Sequence, residues 1–350
     1  MARFSTYRVV NIIRQTHDSV TIQVTRPLFR HNYLPGQTIT AKIYRHGSVH
    51  YRSYSISSTA GIDKYLSFTV KKVPGGVVSS YFNDALSVGD RVELFIAEPS
   101  SFCLRHSKQH YNTMLLFGAG SGVTPLFSIL KYTLRNFPHC EITLVLGNRE
   151  ESDIIFRDEL LALQQQHPKT LHCYFTLTQP DQHWSGRTGR IDAPLINAII
   201  SSFLNRDSKP DITFVCGPEG LMDTVENTMC GALGPNLHIL RESYTRSNVN
   251  TKTTHTFPDT SITIVDGDAS IQIPVESGES ILAAAIKHNI DLKHSCKSGF
   301  CSACRCKIRK GKVSLEGYSC LTEKERNEGS TLLCIGYPDS HDVVIETQGP

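Results

Sequence analysis

Residues 296–304 read CKSGFCSAC, and a fourth cysteine, Cys334, follows within a short apolar segment. The three cysteines of the loop have the spacing C-x4-C-x2-C. Two irons need four thiolate ligands, and this spacing lets one tight loop supply three of them. The residues between the cysteines are mostly small, so backbone amides can approach the sulfurs and stabilise the more negative, reduced state. The pattern predicts a [2Fe–2S] cluster with the ligands Cys296, Cys301, Cys304 and Cys334.

Two other uses of these cysteines fit the spacing less well. Structural zinc sites favour paired C-x2–4-C knuckles, whereas here three cysteines are grouped and one is solitary. Disulfides are typical of exported proteins, but the chain begins MARFSTYRVV, without an apolar signal segment. Cys320 is the rival to Cys334 as fourth ligand. We favour Cys334 because the segment LLCI over 332–335 resembles the L-x-C turn that closes ferredoxin clusters.

The overall composition is that of a globular protein with two or three domains. Of its 350 residues, 39% are hydrophobic and 20% are charged, without a low-complexity tract. The net charge of +3 is too small and dispersed to indicate nucleic-acid binding. The longest apolar run, over 114–130, is interrupted by glycines and a proline. We therefore expect neither a nucleic-acid partner nor membrane insertion, and the 11 cysteines indicate a reducing compartment, the cytoplasm.

The chain divides into three segments that differ in the periodicity of their apolar residues. The first is typical of a small antiparallel barrel, with β-branched runs over 7–13, 20–24, 38–43, 65–70 and 91–96 and one helix over 77–86. The second alternates buried strands with amphipathic helices, which predicts a parallel sheet covered on both faces. A polar stretch after Tyr244 predicts a linker. The last segment opens with a hairpin around Asp266-Gly267, followed by a helix over 280–287 and the cysteine loop.

The first segment contains two motifs suited to a flat, phosphorylated cofactor. Residues 52–55 read RSYS, which can place a cation on a pyrophosphate, a ring against a flat heterocycle and a hydroxyl at its polar edge. Residues 75–79 read GGVVS and open the helix of this segment. Free amides at a helix start bind phosphate, and glycines allow close approach. Each motif alone also occurs as an ordinary edge strand or glycine turn.

The second segment contains a glycine loop between its first strand and first helix. Residues 118–125 read GAGSGVTP, in which the third glycine comes one residue earlier than in the dinucleotide fingerprint G-x-G-x-x-G. Two further motifs follow: CGP at 216–218, at the end of a later strand, and ESY at 242–244, near the end of this segment.

Taken in order, the motifs R-x-Y-S, G-G-x-x-S, G-x-G-x-G-x-T-P and C-G-P resemble the ferredoxin–NADP reductase superfamily, here with a C-terminal plant-type ferredoxin. The resemblance covers nearly the whole chain. It implies a multi-domain protein: an FAD-binding antiparallel β-barrel over 1–108, an NAD(P)-binding α/β domain over 109–245, a linker over 246–258 and a β-grasp [2Fe–2S] domain over 259–350.

The resemblance also implies site residues. The catalytic residues would be Ser55, Thr124, Cys216 and Glu242, with Thr124 between nicotinamide and flavin. The cofactor-binding residues would be Arg52, Ser53, Tyr54, Ser55, Val70, Lys71, Gly75, Gly76, Val77, Val78, Ser79, Gly118, Gly120, Ser121, Gly122, Thr124, Asn148, Arg149, Cys216, Gly217, Pro218 and Tyr244.

Within the superfamily, the domain order and phrases such as VKKVPGGVVSSYF resemble the oxygenase reductases that serve phenylacetyl-CoA epoxygenase and steroid hydroxylases. The implied activity is electron transfer from NAD(P)H to FAD, to [2Fe–2S] and then to a partner oxygenase. A flavin must stand between the other two because nicotinamides give paired electrons and clusters accept one. The alternatives are a reductase for another redox partner, such as a desaturase or a hybrid-cluster protein, and a redox sensor without turnover.

The sequence favours NADPH over NADH. A 2′-phosphate needs a cation after the second strand, where an NADH site tends to have Asp or Glu. That strand is followed by Arg149, with Arg157 or Arg187 as assistants, but Glu150 and Glu151 adjoin it.

Overall fold

A computed structural model describes residues 4–25, 33–97, 99–105, 110–204, 209–242, 257–267, 269–294, 297, 299, 302–317, 319, 321 and 323–347. For 202–204 and 323–324 it describes the backbone alone. Four residues singled out by the sequence lie outside these ranges: Tyr244, Cys296, Cys301 and Cys320. Most of the predicted linker is outside them as well.

The first segment is the predicted antiparallel barrel. Its strands are β1 (Ser5–Thr16), β2 (Ser19–Thr25), β3 (Thr38–Arg45), β4 (Ser48–Ser55), β5 (Leu66–Lys71) and β6 (Arg91–Ile96). They form one sheet in the order β4-β3-β6-β1-β2-β5, and all neighbours are antiparallel. An antiparallel bridge between Ile56 and Phe68 joins the two edges, so the sheet closes around a core of alternate apolar residues.

Two features of the barrel differ from the prediction. Strand β4 pairs with β3 along its whole length, so the RSYS motif lies inside a strand that the sequence did not predict. Its low apolar content concealed it. The predicted helix is divided into α1 (Val77–Ser80) and a π-helical turn (Tyr81–Ala85).

The second segment is a parallel α/β sheet. Its elements are β7 (Thr113–Ala119), a 3-10 turn (Gly120–Gly122), α2 (Val123–Asn136), β8 (Glu141–Asn148), a 3-10 turn (Glu151–Asp153), α3 (Arg157–Gln166), β9 (Leu171–Leu177), β10 (Arg187–Thr188), α4 (Ala193–Leu204), β11 (Ile212–Cys216), α5 (Glu219–Leu233) and β12 (Ile239–Glu242). The strand order is β10-β9-β8-β7-β11-β12. The order in which successive strands are added reverses between β7 and β11, and ligands of such sheets bind at that switch point.

Apolar residues on both faces of this sheet are buried, as the sequence predicted. Along β7, Leu116 packs in the core under α2 and α3, whereas Leu115 and Phe117 pack in the core under α4 and α5. Neighbouring residues of a strand point to opposite faces, so each face meets its own pair of helices.

The third segment is the predicted α+β ferredoxin unit. Its elements are β13 (Thr260–Asp266), β14 (Ala269–Val275), α6 (Ile281–Lys287), β15 (Arg305–Lys310), β16 (Val313–Leu315), α7 (Glu323–Asn327), β17 (Ser330–Leu332), β18 (Gly336–Pro338) and β19 (Val344–Thr347). Five strands form a sheet in the order β14-β13-β19-β15-β17, and β16 pairs with β18. Ser280 caps the start of helix α6, since its hydroxyl accepts a hydrogen bond from the Ala283 amide. The apolar side of α6 is buried in the core. The short strands β16, β17 and β18 were not predicted.

Candidate functional site

The glycine loop after β7 lies at the switch point of the parallel sheet. A Cβ on Gly122 would come within 2.0 Å of the Cys216 carbonyl oxygen, so only glycine permits the loop to pack on the end of β11. A Cβ on Gly118 would lie 2.8 Å from a Leu146 methyl carbon. Gly120 has φ 53° and open space on the side where a Cβ would stand. The loop is thus tightly packed at Gly118 and Gly122 and open at Gly120, which suits the binding of a dinucleotide phosphate.

Thr124 lies in the first turn of α2, directly after this loop. Its side chain is buried, and its hydroxyl donates a hydrogen bond of 2.9 Å to the Ser121 carbonyl. The bond holds the loop against the helix start. The backbone of the loop is thereby fixed before any ligand arrives.

Three predicted catalytic side chains meet at the carboxyl edge of the sheet. Cys216 at the end of β11 stands beside Glu242 at the end of β12, and the Gly217 amide donates to the Glu242 carbonyl at 3.2 Å. From the barrel, the Ser55 hydroxyl donates to Glu242 Oε2 at 3.1 Å. Ser55 and Glu242 are 2% and 5% exposed, so the bond is shielded from water. Residues 187 positions apart therefore join strand β4 of the barrel to the carboxyl edge of the parallel sheet.

The remaining RSYS residues lie along the end of β4. Tyr54 packs face-on to Phe68, with ring centroids 5.9 Å apart, and edge-on to Phe82 at 5.6 Å. Burial raises the pKa of the Tyr54 phenol, with a smaller opposing effect of Arg52. The Arg52 guanidinium donates to the Tyr51 carbonyl at 2.7 Å, and Ser53 hydrogen-bonds to Thr40 at 3.2 Å. A rigid aromatic surface beside an exposed cation fits a flavin and its pyrophosphate.

The GGVVS loop is built for close approach of a ligand. The Ser79 hydroxyl accepts from the Val73 amide at 3.1 Å and donates to the Gly76 carbonyl at 3.3 Å, which ties the loop to α1. A Cβ on Gly76 would lie 2.5 Å from that hydroxyl, whereas Gly75, with φ 70°, is open on its Cβ side. Val77 and Val78 follow within α1, and Val78 is buried in the barrel core.

The side chains of Val70 and Lys71, two of the predicted cofactor-binding residues, contact other parts of the protein. Val70 is fully buried in the barrel core. Lys71 forms ion pairs with Asp18 at 2.8 Å and with Asp153 of the α/β unit at 3.9 Å. His17 Nδ1 lies 3.6 Å from the same Asp153 oxygen. This Lys71 cluster (His17, Asp18, Lys71 and Asp153) bridges the barrel and the α/β unit.

The arginines that could bind the nucleotide 2′-phosphate differ in whether they already form ion pairs. Asn148 ends β8 and its carbonyl accepts from the Thr178 amide at 3.0 Å. Arg157 is paired with Glu151, and Arg187 with Asp192 at 2.8 Å. Arg149 is exposed, and it has no ion-pair partner among the residues that the structure describes. Glu151, which lies two residues after Arg149 in the 3-10 turn, is thus paired with another arginine.

The described part of the cysteine loop fits a cluster with thiolate ligands. Cys304 and Cys334 are both buried, and the Leu333 amide donates to the Cys304 carbonyl at 3.1 Å, which holds the two segments side by side. The Gly299 amide donates to Cys334 Sγ at 3.3 Å. Amides directed at sulfur are what an anionic cluster requires. Gly299 has φ 82°, so the loop backbone turns in a conformation that favours glycine.

Three families match successive parts of the chain. They are described as "Oxidoreductase FAD-binding domain" over 7–95, "Oxidoreductase NAD-binding domain" over 116–227 and "2Fe-2S iron-sulfur cluster binding domain" over 264–339. One component of the 1,2-phenylacetyl-CoA epoxidase of Escherichia coli is 30% identical, over 99% of this chain and 98% of its own length. The chain belongs to the ferredoxin–NADP reductase superfamily, with a fused [2Fe–2S] domain.

Another relative of this reductase is the ferredoxin reductase component of 3-ketosteroid-9-alpha-monooxygenase from Rhodococcus rhodochrous, 30% identical over 90% of this chain and 88% of its own. Phthalate dioxygenase reductase has a similar fold, with a TM-score of 0.61 at 21% identity over 98% of both chains. An intact type IV self-sufficient cytochrome P450 monooxygenase has a TM-score of 0.69 at 19% identity, over 98% of this chain and 41% of that one.

These matches confirm the predicted fold class, cofactor set and enzyme class. The reductase is a flavin- and iron–sulfur-dependent oxidoreductase that passes electrons from NAD(P)H through FAD to [2Fe–2S]. Within the described ranges, no helix is both long and apolar enough to cross a membrane.

Sequence reasoning missed the contacts that join the units of this reductase. The Lys71 cluster was not foreseen, although a lysine beside the G-G-x-x-S motif was noted for another role. Between the same two units, Lys131 of α2 pairs with Asp63 at 2.6 Å and the Ser128 hydroxyl donates to the Ser58 carbonyl at 2.6 Å. Only the sequence of α2, which is apolar on nearly all sides of the helix, signals that α2 packs against more than the sheet.

Proposed function

We propose that this protein is the NADPH-dependent reductase of a multicomponent oxygenase of the phenylacetyl-CoA epoxidase type. The observation that carries the proposal is the buried 3.1 Å hydrogen bond from Ser55 to Glu242. It joins β4, the proposed flavin strand, to the ends of β11 and β12, the proposed nicotinamide edge. Support for the partner comes from the component of the E. coli epoxidase, 30% identical over nearly the full length of both chains.

Each motif has a proposed task. Arg52 and the amides around Gly75 and Gly76 hold the FAD pyrophosphate, and the Tyr54 ring lies against the flavin. The glycine loop and the CGP turn hold the nicotinamide nucleotide, with Thr124 and Cys216 shaping the space at its reactive end. When bound, FAD takes a hydride from the nicotinamide and gives up electrons singly, and a [2Fe–2S] cluster carries them one at a time.

Ser55 and Glu242 act as a positioning pair in this proposal. A hydride moves only between atoms that are held close and aligned, so a small change in the relative position of the two units slows transfer strongly. The pair is buried, and the same two units are also joined by the Lys71 cluster and by the Lys131–Asp63 ion pair. The interface therefore has fixed points besides this pair.

The choice of NADPH rests on Arg149. It is the exposed cation directly after β8, and the assistants suggested by the sequence, Arg157 and Arg187, are engaged in ion pairs. A guanidinium binds a phosphate with two parallel hydrogen bonds. We assign the 2′-phosphate to Arg149.

The cluster ligands are Cys296, Cys301, Cys304 and Cys334 in this proposal, supported by the buried positions of Cys304 and Cys334. The units would be divided as an FAD domain over 1–108, an NAD(P) domain over 109–245 and a ferredoxin domain over 259–350. We assign Tyr244, after β12, to the nicotinamide end of the cleft on the strength of the family motif.

Two artificial acceptors test the order of electron transfer. Cys301→Ser removes a ligand of the cluster, so the variant should reduce ferricyanide with NADPH at the wild-type rate and lose most cytochrome c reduction. Equal loss of both activities would contradict a cluster that acts only after the flavin. Absence of flavin reduction by either nucleotide in the wild type would support a redox sensor without turnover.

A second candidate partner is a monooxygenase of another kind. The relatives at 30% and 27% identity include reductase components of 3-ketosteroid-9-alpha-monooxygenase and of glycine betaine monooxygenase. Reconstitution distinguishes these partners. The purified reductase should support turnover of phenylacetyl-CoA by the oxygenase component of the epoxidase, and support of the steroid or betaine enzyme alone would replace the proposed partner.

A further inference from the structure

One aromatic contact joins the barrel to the ferredoxin unit. The ring of Tyr51 on β4 lies 5.6 Å from the imidazole of His294, centroid to centroid, with the planes tilted by 58°. This is the spacing of a favourable aromatic pair. His294 precedes the cluster loop, and Tyr51 directly precedes the RSYS motif. The contact thus connects the strand that carries the flavin motif to the segment that leads into the cluster loop.

Tyr51 points away from the barrel core. Its cross-strand partner on β3 is Lys42, whose neighbours Ala41 and Ile43 are buried inside the barrel. Because side chains alternate along a strand, Lys42 and Tyr51 share the outer face. Phe4 lies beside Tyr51, with centroids 5.7 Å apart.

These outward residues form a small apolar surface with a charged rim. Phe4 also contacts Phe95, with centroids 5.9 Å apart, so the aromatic patch consists of Phe4, Tyr51 and Phe95. Lys42 stands 5.9 Å from the Phe4 ring and pairs with Glu93 at 3.6 Å. A partly buried aromatic patch on the outside of a closed barrel has no role in the barrel core. It is suited to hold a second unit.

The ferredoxin side of the contact is held rigidly. His294 Nδ1 lies 2.8 Å from the Leu292 carbonyl, which can only accept, so the nitrogen donates. Leu292 itself is buried in the ferredoxin core. The charge of Asp291 reaches Tyr51 as well: burial is the main cause of the raised pKa of Tyr51, and Asp291 and then Glu93 add to it. His294 therefore faces the patch, and the charge of Asp291, in the same segment, acts on Tyr51.

We infer that Tyr51 and His294 are positioning residues that dock the ferredoxin unit on the barrel, with the segment before the cluster loop beside the strand that carries the RSYS motif. The inference rests on the proposed function, because docking matters for electron transfer only if the flavin delivers electrons to the cluster. Tyr51 lies three residues before Tyr54, which along a strand is about 10 Å. The docked arrangement keeps the two redox sites on neighbouring segments.

The experiment uses the full-length holoprotein and changes only the barrel side, since His294 is too close to a cluster ligand for a clean substitution. Tyr51→Ala removes the ring, and Tyr51→Phe retains it. Tyr44→Ala is the matched control, because Tyr44 is a 70% exposed tyrosine on the neighbouring strand β3. If Tyr51→Ala loses flavin on purification, Tyr51→Thr replaces it, since threonine is well tolerated in strands.

Two measurements are made on each protein. The first is amide hydrogen exchange of the ferredoxin peptide over 288–294 in the oxidised state, without turnover. The second is the stopped-flow rate of flavin reduction by NADPH and of the cluster reduction that follows. With Tyr51→Ala, exchange in the peptide should increase, and cluster reduction should slow about two- to tenfold, as expected for loss of one aromatic pair from the docked state. Flavin reduction should stay at the wild-type rate, and Tyr51→Phe and Tyr44→Ala should match the wild type throughout.

Three results would overturn the inference. One is wild-type behaviour of Tyr51→Ala in both measurements. Another is faster exchange with an unchanged rate of cluster reduction, since docking would then not position the cluster. The third is slower cluster reduction without any change in exchange, because the ring would then act on the flavin alone. A wild-type protein whose cluster is not reduced by NADPH would instead refute the proposed function, and the exchange measurement would still decide the docking.

Discussion

The hydrogen bond between Ser55 and Glu242 makes a quantitative prediction. Ser55→Ala removes the hydroxyl that donates to Glu242 Oε2 at 3.1 Å and leaves that oxygen buried without this donor. Both residues are at most 5% exposed, so water does not readily replace the lost bond. A hydrogen bond to a charged group contributes about 1.5–3 kcal/mol. If the bond positions the two units for hydride transfer, the loss corresponds to a rate reduced about tenfold to hundredfold.

The assay is stopped-flow reduction of the flavin by NADPH in a single turnover, followed by flavin absorbance. Ser57→Ala is the matched control. It also removes a buried serine hydroxyl near the end of β4, bonded at 3.0 Å to Thr69, but this bond lies within the barrel. Both variants should lose similar stability, and only Ser55→Ala should lose rate. Equal flavin-reduction rates in the two variants would refute the reasoning.

Three further predictions concern the nucleotide, the cluster and the acid stability of the barrel. Arg149→Ala should raise the Michaelis constant for NADPH far more than that for NADH, measured by steady-state kinetics with both nucleotides. Cys334→Ser should abolish the visible absorbance of the cluster, whereas Cys320→Ser should preserve it. Burial alone would raise the pKa of Asp18, but its hydrogen bonds, above all that with Lys71, hold it below the ordinary value of 3.8. Asp18 therefore contributes stability that is complete above about pH 4 and is lost as the pH falls through its folded pKa. Acid unfolding of Asp18→Asn, followed by circular dichroism, should depend less steeply on pH below about 4.

Each of these predictions has its own contrary outcome. Arg157→Ala is the control for Arg149→Ala, because Arg157 is paired with Glu151, and an equal effect of both would mean that the 2′-phosphate is bound elsewhere. Loss of absorbance in Cys320→Ser and not in Cys334→Ser would reverse the ligand assignment. Acid-unfolding curves of the same steepness for Asp18→Asn and the wild type would show that the bonds of Asp18, above all that with Lys71, do not stabilise the folded protein.

Much of the fold could be predicted because its signals are local. The strands of the parallel sheet are apolar runs that alternate with amphipathic helices, and this rhythm alone indicates helices on both faces. The barrel was recognised from short β-branched runs, but β4 was missed because its apolar content is low. The RSYS motif was therefore found by its residue types and not by its secondary structure.

The candidate site could be predicted only where one short segment carries its own geometry. The spacing of the cysteine loop indicates a cluster, and the glycines at 118, 120 and 122 indicate a phosphate loop. Both can be read from the sequence because each depends only on the conformations open to neighbouring residues. The pairing of Ser55 with Glu242 could be expected only from the family motif, and its distance is a property of the folded chain. For Val70 and Lys71 the family motif predicts cofactor contacts, and only the folded chain shows that the Val70 side chain lies in the core and that Lys71 forms ion pairs.

The amino-acid sequence by itself determined three units, their cofactors and the order in which they follow each other. Spacing within a segment suffices for this, since a cluster loop or a glycine turn is made from neighbouring residues. The tertiary structure alone decided how the units meet: Lys71 between Asp18 and Asp153, and Tyr51 against His294. Such contacts join residues far apart in the chain, and they depend on how whole surfaces pack, which no local pattern records.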